Sequence, residues 1–249
     1  MRNLELEQII NKFLQISLYK DFSPNGLQVE GKKEIKKIIT GVTACQLLLD
    51  EAVKENADAI LVHHGYFWKN EPMTITGIKA KRIRTLLTHN INLFSYHLPL
   101  DGNDILGNNA LLAKNLGIVS DARKDVTDLL FKGSLLEPIA ATQFKVNIEQ
   151  TLGHRVLFCG DNAPNIIKRV AWCSGGGQDY IEEAALQGFD AFFTGEVSER
   201  TIHIAREYGI NFYAAGHHAT ERYGIKALGQ WLAENYELDV RFVDIANPA

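Results

Sequence analysis

The chain has 249 residues, a formal net charge of −4 and a pI near 6.1, with 46% apolar and 22% charged residues. This composition is that of an ordinary globular protein, and it excludes the broad basic surface that non-specific nucleic-acid binding requires. Cys45, Cys159 and Cys173 form no CxxC pair, and the sequence has no 18-residue apolar run and no signal-peptide pattern. We therefore expect a cytoplasmic protein with no disulfide framework and no membrane span.

Helix and strand patterns alternate along the chain. Apolar residues at helical spacing predict helices, and short apolar runs bounded by turn residues predict strands buried on both faces. Such alternation predicts an α/β fold with mainly parallel sheets flanked by helices, although the stretch 120–168 is less regular. In chain order the predicted elements are helix 4–15, turn 23–26, strand 37–42, helix 46–55, strand 59–62, helix 77–89, strand 91–96, helix 107–116, strands near 129–136 and 155–158, strand 169–173, helix 177–187, strand 190–194, helix 198–208, strand 210–215, helix 220–234 and strand 239–245.

Segments 37–65 and 169–197 share one pattern, at an offset of about 132 residues. Two βαβ units resemble each other for generic reasons, but here each half also continues to a strand followed by a His-x-x-x-acid motif. We therefore predict an internal duplication, with related α/β halves at 1–124 and 125–249 and a metal site in the cleft between them. The C-terminal segment can pack back on the first half. The two motifs are His97 to Asp101 and His217 to Glu221.

Side chains that bind divalent metals follow several of the predicted strands. Ligands of open α/β folds gather at the carboxyl ends of parallel strands, and Gly65 lets the backbone turn after one such end. Imidazole and carboxylate donors suit Zn, Mn, Fe or Ni, which the sequence does not distinguish. Two ions roughly 3.5–4 Å apart would activate water and stabilise a developing oxyanion. The predicted ligands are His63, His64, Asp101, His217 and Glu221.

Four further residues are candidates for catalysis or for support of the ligands. His97 suits either a ligand or a partner that orients Asp101. Glu196 and His203 suit a general acid or base or a substrate contact, although Glu196 equally suits a solvated helix start. His218, beside His217, is a candidate for lining the pocket.

Two short segments each have a functional and a purely structural interpretation. Residues Ser174, Gly175, Gly176 and Gly177 lie between a strand and a helix, where backbone amides can hold a phosphate. The alternative is a tight turn that needs positive φ. The aromatic run 66–68 suits stacking on a base, or packing at the site's rim or an oligomer contact.

Six motifs together resemble the Nif-three-like family, whose members are named as type 2 GTP cyclohydrolase I homologs. The resemblance implies that the five predicted ligands hold a dinuclear metal centre, with Glu221 bridging, in a toroidal homohexamer. It also implies the short form of the family, without an extra domain between the halves. Glycine at position 65, where many relatives have proline, is a departure that leaves the ligands intact. The motifs are PNGLQVEG (24–31), VHHGYFW (62–68), HLPLD (97–101), LGNNALLAKNLG (106–117), TGEVSE (194–199) and AAGHHATE (214–221).

The same resemblance implies a hydrolase that opens the purine ring of GTP. Attack at C8 would release formate, and rearrangement would give dihydroneopterin triphosphate. Nothing in the sequence specifies guanine, so two alternatives remain open. One is a metal-dependent phosphoesterase or amidohydrolase, and the other is a non-catalytic metal-binding ring that serves as a scaffold or stress-response factor.

Overall fold

The computed structural model describes residues 1–249. The chain divides into two compact units, Met1–Leu100 with Gly224–Ala246 and Asp101–Tyr223 with Asn247–Ala249. Each unit contains one sheet with helices around it, which confirms the predicted α/β fold class. The internal duplication and the division into halves 1–124 and 125–249 stay predictions.

Nine α-helices and two short 3-10 helices cover much of the chain. No helix combines the length and the apolar character that a membrane span requires. The α-helices are α1 (Asn3–Leu14), α2 (Gln46–Lys54), α3 (Gly77–His89), α4 (Leu98–Gly102), α5 (Asn108–Leu116), α6 (Ala141–Leu152), α7 (Ile181–Leu186), α8 (Glu199–Tyr208) and α9 (His217–Tyr236), and the 3-10 helices are Ile16–Leu18 and Gln178–Tyr180.

Eleven strands form two mixed sheets, one in each unit. The strands are β1 (Gly26–Val29), β2 (Lys37–Thr43), β3 (Ala59–His64), β4 (Asn92–Ser95), β5 (Ile118–Ser120), β6 (Phe131–Ala140), β7 (Leu157–Cys159), β8 (Ile166–Trp172), β9 (Ala191–Thr194), β10 (Asn211–Ala214) and β11 (Asp239–Phe242).

The sheet of the first unit has the order β1-β4-β3-β2-β11. Strands β4, β3, β2 and β11 run parallel, and β1 is the antiparallel edge strand. Successive residues of β3 enter different cores: Ile60 packs with α2 and α3, whereas Leu61 packs with α1 and α9. This arrangement explains the unbroken apolar run of β3, because a strand covered by helices on both faces has no polar side.

The sheet of the second unit has the order β5-β6-β8-β9-β10-β7. Only β8, β9 and β10 are parallel, so this sheet is more antiparallel than the sequence predicts. Phe193 of β9 packs in the core that contains Phe144 of α6, and Phe192 packs in the core that contains Ala205 of α8. The antiparallel strands come from the stretch 120–168 and from its borders, where the alternation of helix and strand is weakest.

Local sequence explains where several elements begin and end. The Ser198 hydroxyl and Thr201 form a capping box at the start of α8, and Gly209 ends the helix with φ of +66°. Helix α6 lies within the stretch that sequence patterns left irregular, and it ends at Gly153 with φ of +62°. Strand β3 continues two residues beyond the predicted strand 59–62, so both of its histidines belong to the strand.

Each unit has a hydrogen-bonded corner at an equivalent sequence position. In the first unit, Asp58 Oδ2 accepts from the backbone N–H groups of residues 36 and 37, and its carbonyl accepts from Asn92 Nδ2. In the second, Asp190 Oδ2 accepts from the N–H groups of residues 168 and 169, and its carbonyl accepts from Asn211 Nδ2. Each aspartate thereby joins the start of one parallel strand to the two strands beside it in the sheet.

We expect Asp58→Asn to lower the free energy of unfolding by about 1–3 kcal/mol at neutral pH, because one of the two accepting oxygens of this half-buried carboxylate is lost. Burial would raise the pKa of Asp58, but the hydrogen bonds from Lys32 and the two backbone amides outweigh it and hold the pKa below 3.8. The carboxylate therefore stabilises the fold above pH 3.8, and this contribution disappears as the pH falls through the lowered pKa. Urea denaturation at several pH values measures the effect.

The matched control is Asp50→Asn, since Asp50 is exposed and its acceptor role toward Gln46 survives in asparagine. Equal stability of the Asp58 and Asp50 variants at neutral pH would contradict the prediction.

Candidate metal centre

Three histidines form a cluster in the first unit. His63 and His64 are the last residues of β3, and His97 follows β4. The ring centroids of His63 lie 4.5 Å from His64 and 5.2 Å from His97. One nitrogen from each ring lies within 4.8 Å of the other two, so the three can hold a metal ion. Two of the five predicted ligands and one supporting candidate therefore come together in this unit.

Each imidazole of this cluster makes a contact through Nδ1. His63 Nδ1 donates to the Tyr96 carbonyl at 2.9 Å, and His97 Nδ1 contacts an Asp21 carboxylate oxygen at 2.7 Å. His64 Nδ1 lies 3.2 Å from the Thr43 hydroxyl. Carbonyl and carboxylate oxygens only accept, so in neutral His63 and His97 the proton is on Nδ1 and the lone pair is on Nε2. This is the tautomer that metal-binding histidines need.

Asp21 is a site residue that sequence reasoning missed. Its carboxylate accepts from His97, from Asn25 Nδ2 at 2.9 Å and from Leu98 N at 2.9 Å. Burial would raise the pKa of Asp21, but the hydrogen bond and charge of His97 and the bonds from Asn25 and Phe22 outweigh it and lower the pKa. A charged Asp21 therefore fixes the ring of His97. The only sequence signal was its position just before the predicted turn 23–26.

Asp101 anchors a second group, which lies within the second unit. The carboxylate is buried, and its Oδ1 accepts from Asn108 Nδ2 at 2.8 Å and from the Ser174 hydroxyl at 2.9 Å. Asn109 donates to the Asp101 carbonyl and to Ser174, and its own Oδ1 accepts from Ser174 N at 2.8 Å. The network holds the carboxylate in one orientation, which suits a metal ligand.

His217 and Glu221 lie one turn apart at the start of α9. His217 Nε2 is 3.0 Å from Glu221 Oε2, and its Nδ1 is 2.6 Å from Glu196 Oε1. Burial would lower the pKa of His217, but the two carboxylates outweigh it and raise the pKa to about 9. The two carboxylates therefore favour the protonated form of the ring. A divalent cation could take the place of the ring proton and be bound by the imidazole nitrogen and a carboxylate oxygen. This set of side chains therefore fits a metal ion.

The turn at Ser174–Gly177 brings the backbone close to these carboxylates. Gly175 has φ of +62°, and a Cβ placed there would lie 2.0 Å from Glu221 Oε1. The amides of Ser174, Gly175 and Gly177 donate to protein side chains at 2.8, 3.0 and 3.0 Å. Three of the four backbone amides of this turn are therefore already bonded within the protein. Phosphate binding by the turn stays a prediction.

The two remaining candidates are on helices. His203 is exposed on α8. Its Nε2 lies 3.6 Å from Oε1 of Glu199, which is one helical turn earlier in the chain. His218 is half-buried in α9, and its backbone N–H donates to the Ala249 carbonyl at 3.1 Å. Neither contact joins the carboxylate group around His217, and the roles of both residues stay predictions.

The family model that matches this chain is DUF34/NIF3 (NGG1p interacting factor 3), over residues 1–248. The chain therefore belongs to the DUF34/NIF3 family, and the resemblance inferred from its motifs is confirmed. It is 60% identical, over the full length of both chains, to the GTP cyclohydrolase 1 type 2 homolog of Yersinia pestis. It also resembles the solved structure of protein ybgI, at 56% identity and a TM-score of 0.97 with full coverage of both chains. A third similar structure is TTHA1606 from Thermus thermophilus, at 32% identity and a TM-score of 0.90, again with full coverage.

Proposed function

We propose that this protein is a metal-dependent hydrolase with a dinuclear centre held by His63, His64, Asp101, His217 and Glu221. The observation that carries the proposal is the orientation of the imidazoles in the histidine cluster. In His63 and His97 the Nδ1 atom contacts an oxygen that only accepts, which favours the tautomer that coordinates a metal through Nε2, and His64 Nδ1 lies beside the Thr43 hydroxyl.

Bound divalent ions would supply Lewis acidity and lower the pKa of water, which is the chemistry that hydrolysis needs. The protein's own residues then have distinct roles. Asn108 and Ser174 orient the carboxylate of Asp101, and Asp21 orients His97. Glu196 is half-exposed and contacts His217 Nδ1, so we assign it to hold or transfer a proton at that nitrogen.

The substrate that we propose is GTP, with opening of the purine ring and release of formate. Support comes from relatives named GTP cyclohydrolase 1 type 2 homolog, at 56–60% identity along the whole chain. A homohexameric ring in the cytoplasm is part of the same proposal, and light scattering of the purified protein tests the assembly. Phosphoesters, amides and a non-catalytic scaffold role are the alternatives that the activity assay separates.

We expect Glu221→Gln to reduce formate release from GTP by about 100-fold or more, since the loss of a charged ligand weakens both metal binding and charge stabilisation. The assay follows formate and pterin fluorescence with protein whose metal content has been measured. Glu234→Gln is the matched control, because Glu234 is exposed on the same helix, α9.

Metal-dependent formate release that the Glu234 variant keeps and the Glu221 variant loses would support the proposal. Two bound metals without any product would rule out GTP, and phosphoesters and amides would then be screened. A Glu221 variant with full activity would rule out the proposed role of this residue.

A further inference from the structure

The first unit contains a cavity of about 370 Å³ beside His64. Its volume falls in the range of small-molecule sites. Its wall combines apolar and aromatic side chains with polar and charged ones, and none of the lining residues except His64 belongs to the proposed metal ligands. The lining residues are Thr43, His64, Gly65, Tyr66, Trp68, Glu71, Pro72, Thr74, Thr76, Ile78, Lys79 and Arg82.

Two cations from helix α3 face this cavity. Lys79 lies 3.6 Å from Glu71 and donates to the Pro72 carbonyl at 3.2 Å. Arg82 is half-buried, and its Nε is a buried donor without a hydrogen bond. Because Arg82 lines the cavity, a ligand with acceptor oxygens bound there would meet its guanidinium group, which carries five N–H donors and no acceptor. Two cationic side chains and one carboxylate line the cavity, so its charge favours the binding of an anionic ligand.

The cavity wall also contains neutral hydrogen-bond donors. The hydroxyl residues Thr43, Thr74 and Thr76 line the cavity, and α3 begins at Gly77 directly after Thr76. The N-terminus of a 13-residue helix carries partial positive charge and unbonded backbone N–H groups. Arginine, lysine, hydroxyls and a helix start together form a set that recognises phosphoryl oxygens.

We propose that this cavity binds a phosphoryl group of the substrate. The inference rests on the proposed function, because His64 belongs both to the cavity wall and to the proposed metal centre. A phosphorylated substrate would then be held by Arg82 and Lys79 while its reacting part lies toward the histidine cluster. Arg82 and Lys79 are therefore substrate-binding residues that determine specificity for phosphorylated compounds.

Calorimetric titration of the metal-loaded protein with inorganic pyrophosphate, GTP and guanosine tests the proposal. We expect Arg82→Gln to weaken binding of pyrophosphate and GTP by about tenfold or more, because charge-assisted hydrogen bonds are lost. Guanosine binding should not change. Lys79→Gln should act in the same direction, and Arg82→Lys should lose less than Arg82→Gln because it keeps the charge.

The matched control is Arg84→Gln, which removes the same charge from an exposed position of α3 outside the cavity wall. Metal content and thermal unfolding of every variant are measured alongside, so that a folding defect is recognised. The phosphoryl site would be supported if the wild type binds GTP and pyrophosphate, the Arg84 variant keeps this binding and the Arg82 variant loses it.

Three results would overturn the proposal. They are absence of pyrophosphate binding to the wild-type protein, equal pyrophosphate binding by the Arg82→Gln variant, and an equal loss of guanosine binding, which would indicate a base site. Release of no formate from GTP, together with the expected binding pattern, would reject the proposed reaction and leave the phosphoryl site supported.

Discussion

Replacing Gly175 by alanine is expected to lower the free energy of unfolding by about 3 kcal/mol, since a positive φ and a steric clash both oppose the new methyl group. The Cβ would lie 2.0 Å from Glu221 Oε1 and 3.0 Å from His217 Nε2, at φ of +62°. Both side chains would have to move, and both are proposed metal ligands. Urea denaturation and the metal content of the purified variant measure the two consequences.

The neighbouring glycine offers a matched control. A Cβ at Gly176 would meet nothing closer than Glu196 Oε2 at 3.6 Å, which is ordinary van der Waals contact. We therefore expect Gly176→Ala to keep both its stability and its metal. If the two alanine variants have the same stability and the same metal content, the close approach of the backbone to Glu221 is not important for the site.

Replacing His63 by alanine is expected to weaken metal binding by about 100-fold or more, because losing even a supporting partner of a ligand costs about 10–100-fold. His63 is fully buried, so its removal leaves a gap inside the cluster. Metal content by mass spectrometry and competition with a chelating dye measure the affinity. The same variant should lose formate release in parallel.

His89→Ala is the control for this experiment, since His89 is exposed at the end of α3 and bonds only along its own helix to the Thr85 carbonyl. His63→Gln provides a second variant that can still donate a hydrogen bond if the alanine variant unfolds. Metal affinity of the His63 variants equal to that of His89→Ala would remove His63 from the proposed centre.

The parallel strands of the first sheet could be predicted, whereas its edge strand β1 was not, and the central strands leave a direct record of their burial in the sequence. Ile60, Leu61 and Val62 are all buried, and the apolar run predicts such a strand. The same rule ended the predicted strand at Val62, since polarity changes at His63 although the backbone continues as strand. Apolar periodicity thus found the strand but placed its end two residues early.

Helix α6 was not predicted, although Phe144, Ile148 and Leu152 recur at intervals of four and are buried. Thr142 before these residues and Val146 between them favour strands in isolation, and the helix packs in the core that also contains Trp172. The interval of four between the apolar residues is itself a helix signal, and it was visible in the sequence.

The candidate ligands could be proposed from sequence because their residue types and their positions after strands are both local features. Several of the groups that orient them could not, because they act over long separations, although Asn108 is only seven residues from Asp101. Asp21 and His97 are 76 residues apart, and Asn109 and Ser174 are 65 apart. Arg82 was overlooked for a related reason. Its helix carries several charged residues, and the sequence does not show which of them lines a cavity and which faces solvent.

The hydrogen bonds at Nδ1 of the histidine cluster also have a thermodynamic consequence. His63, His64 and His97 are attached to a sheet that apolar cores cover on both faces, so their rings are ordered before any ion arrives. Little conformational entropy is then lost on coordination, and little folding free energy depends on it. Loading and removal of metal should be exchange reactions of a folded protein, unlike in zinc fingers, where chelation unfolds the chain. The ion that occupies the site would then be determined by the supply of metals around the folded protein.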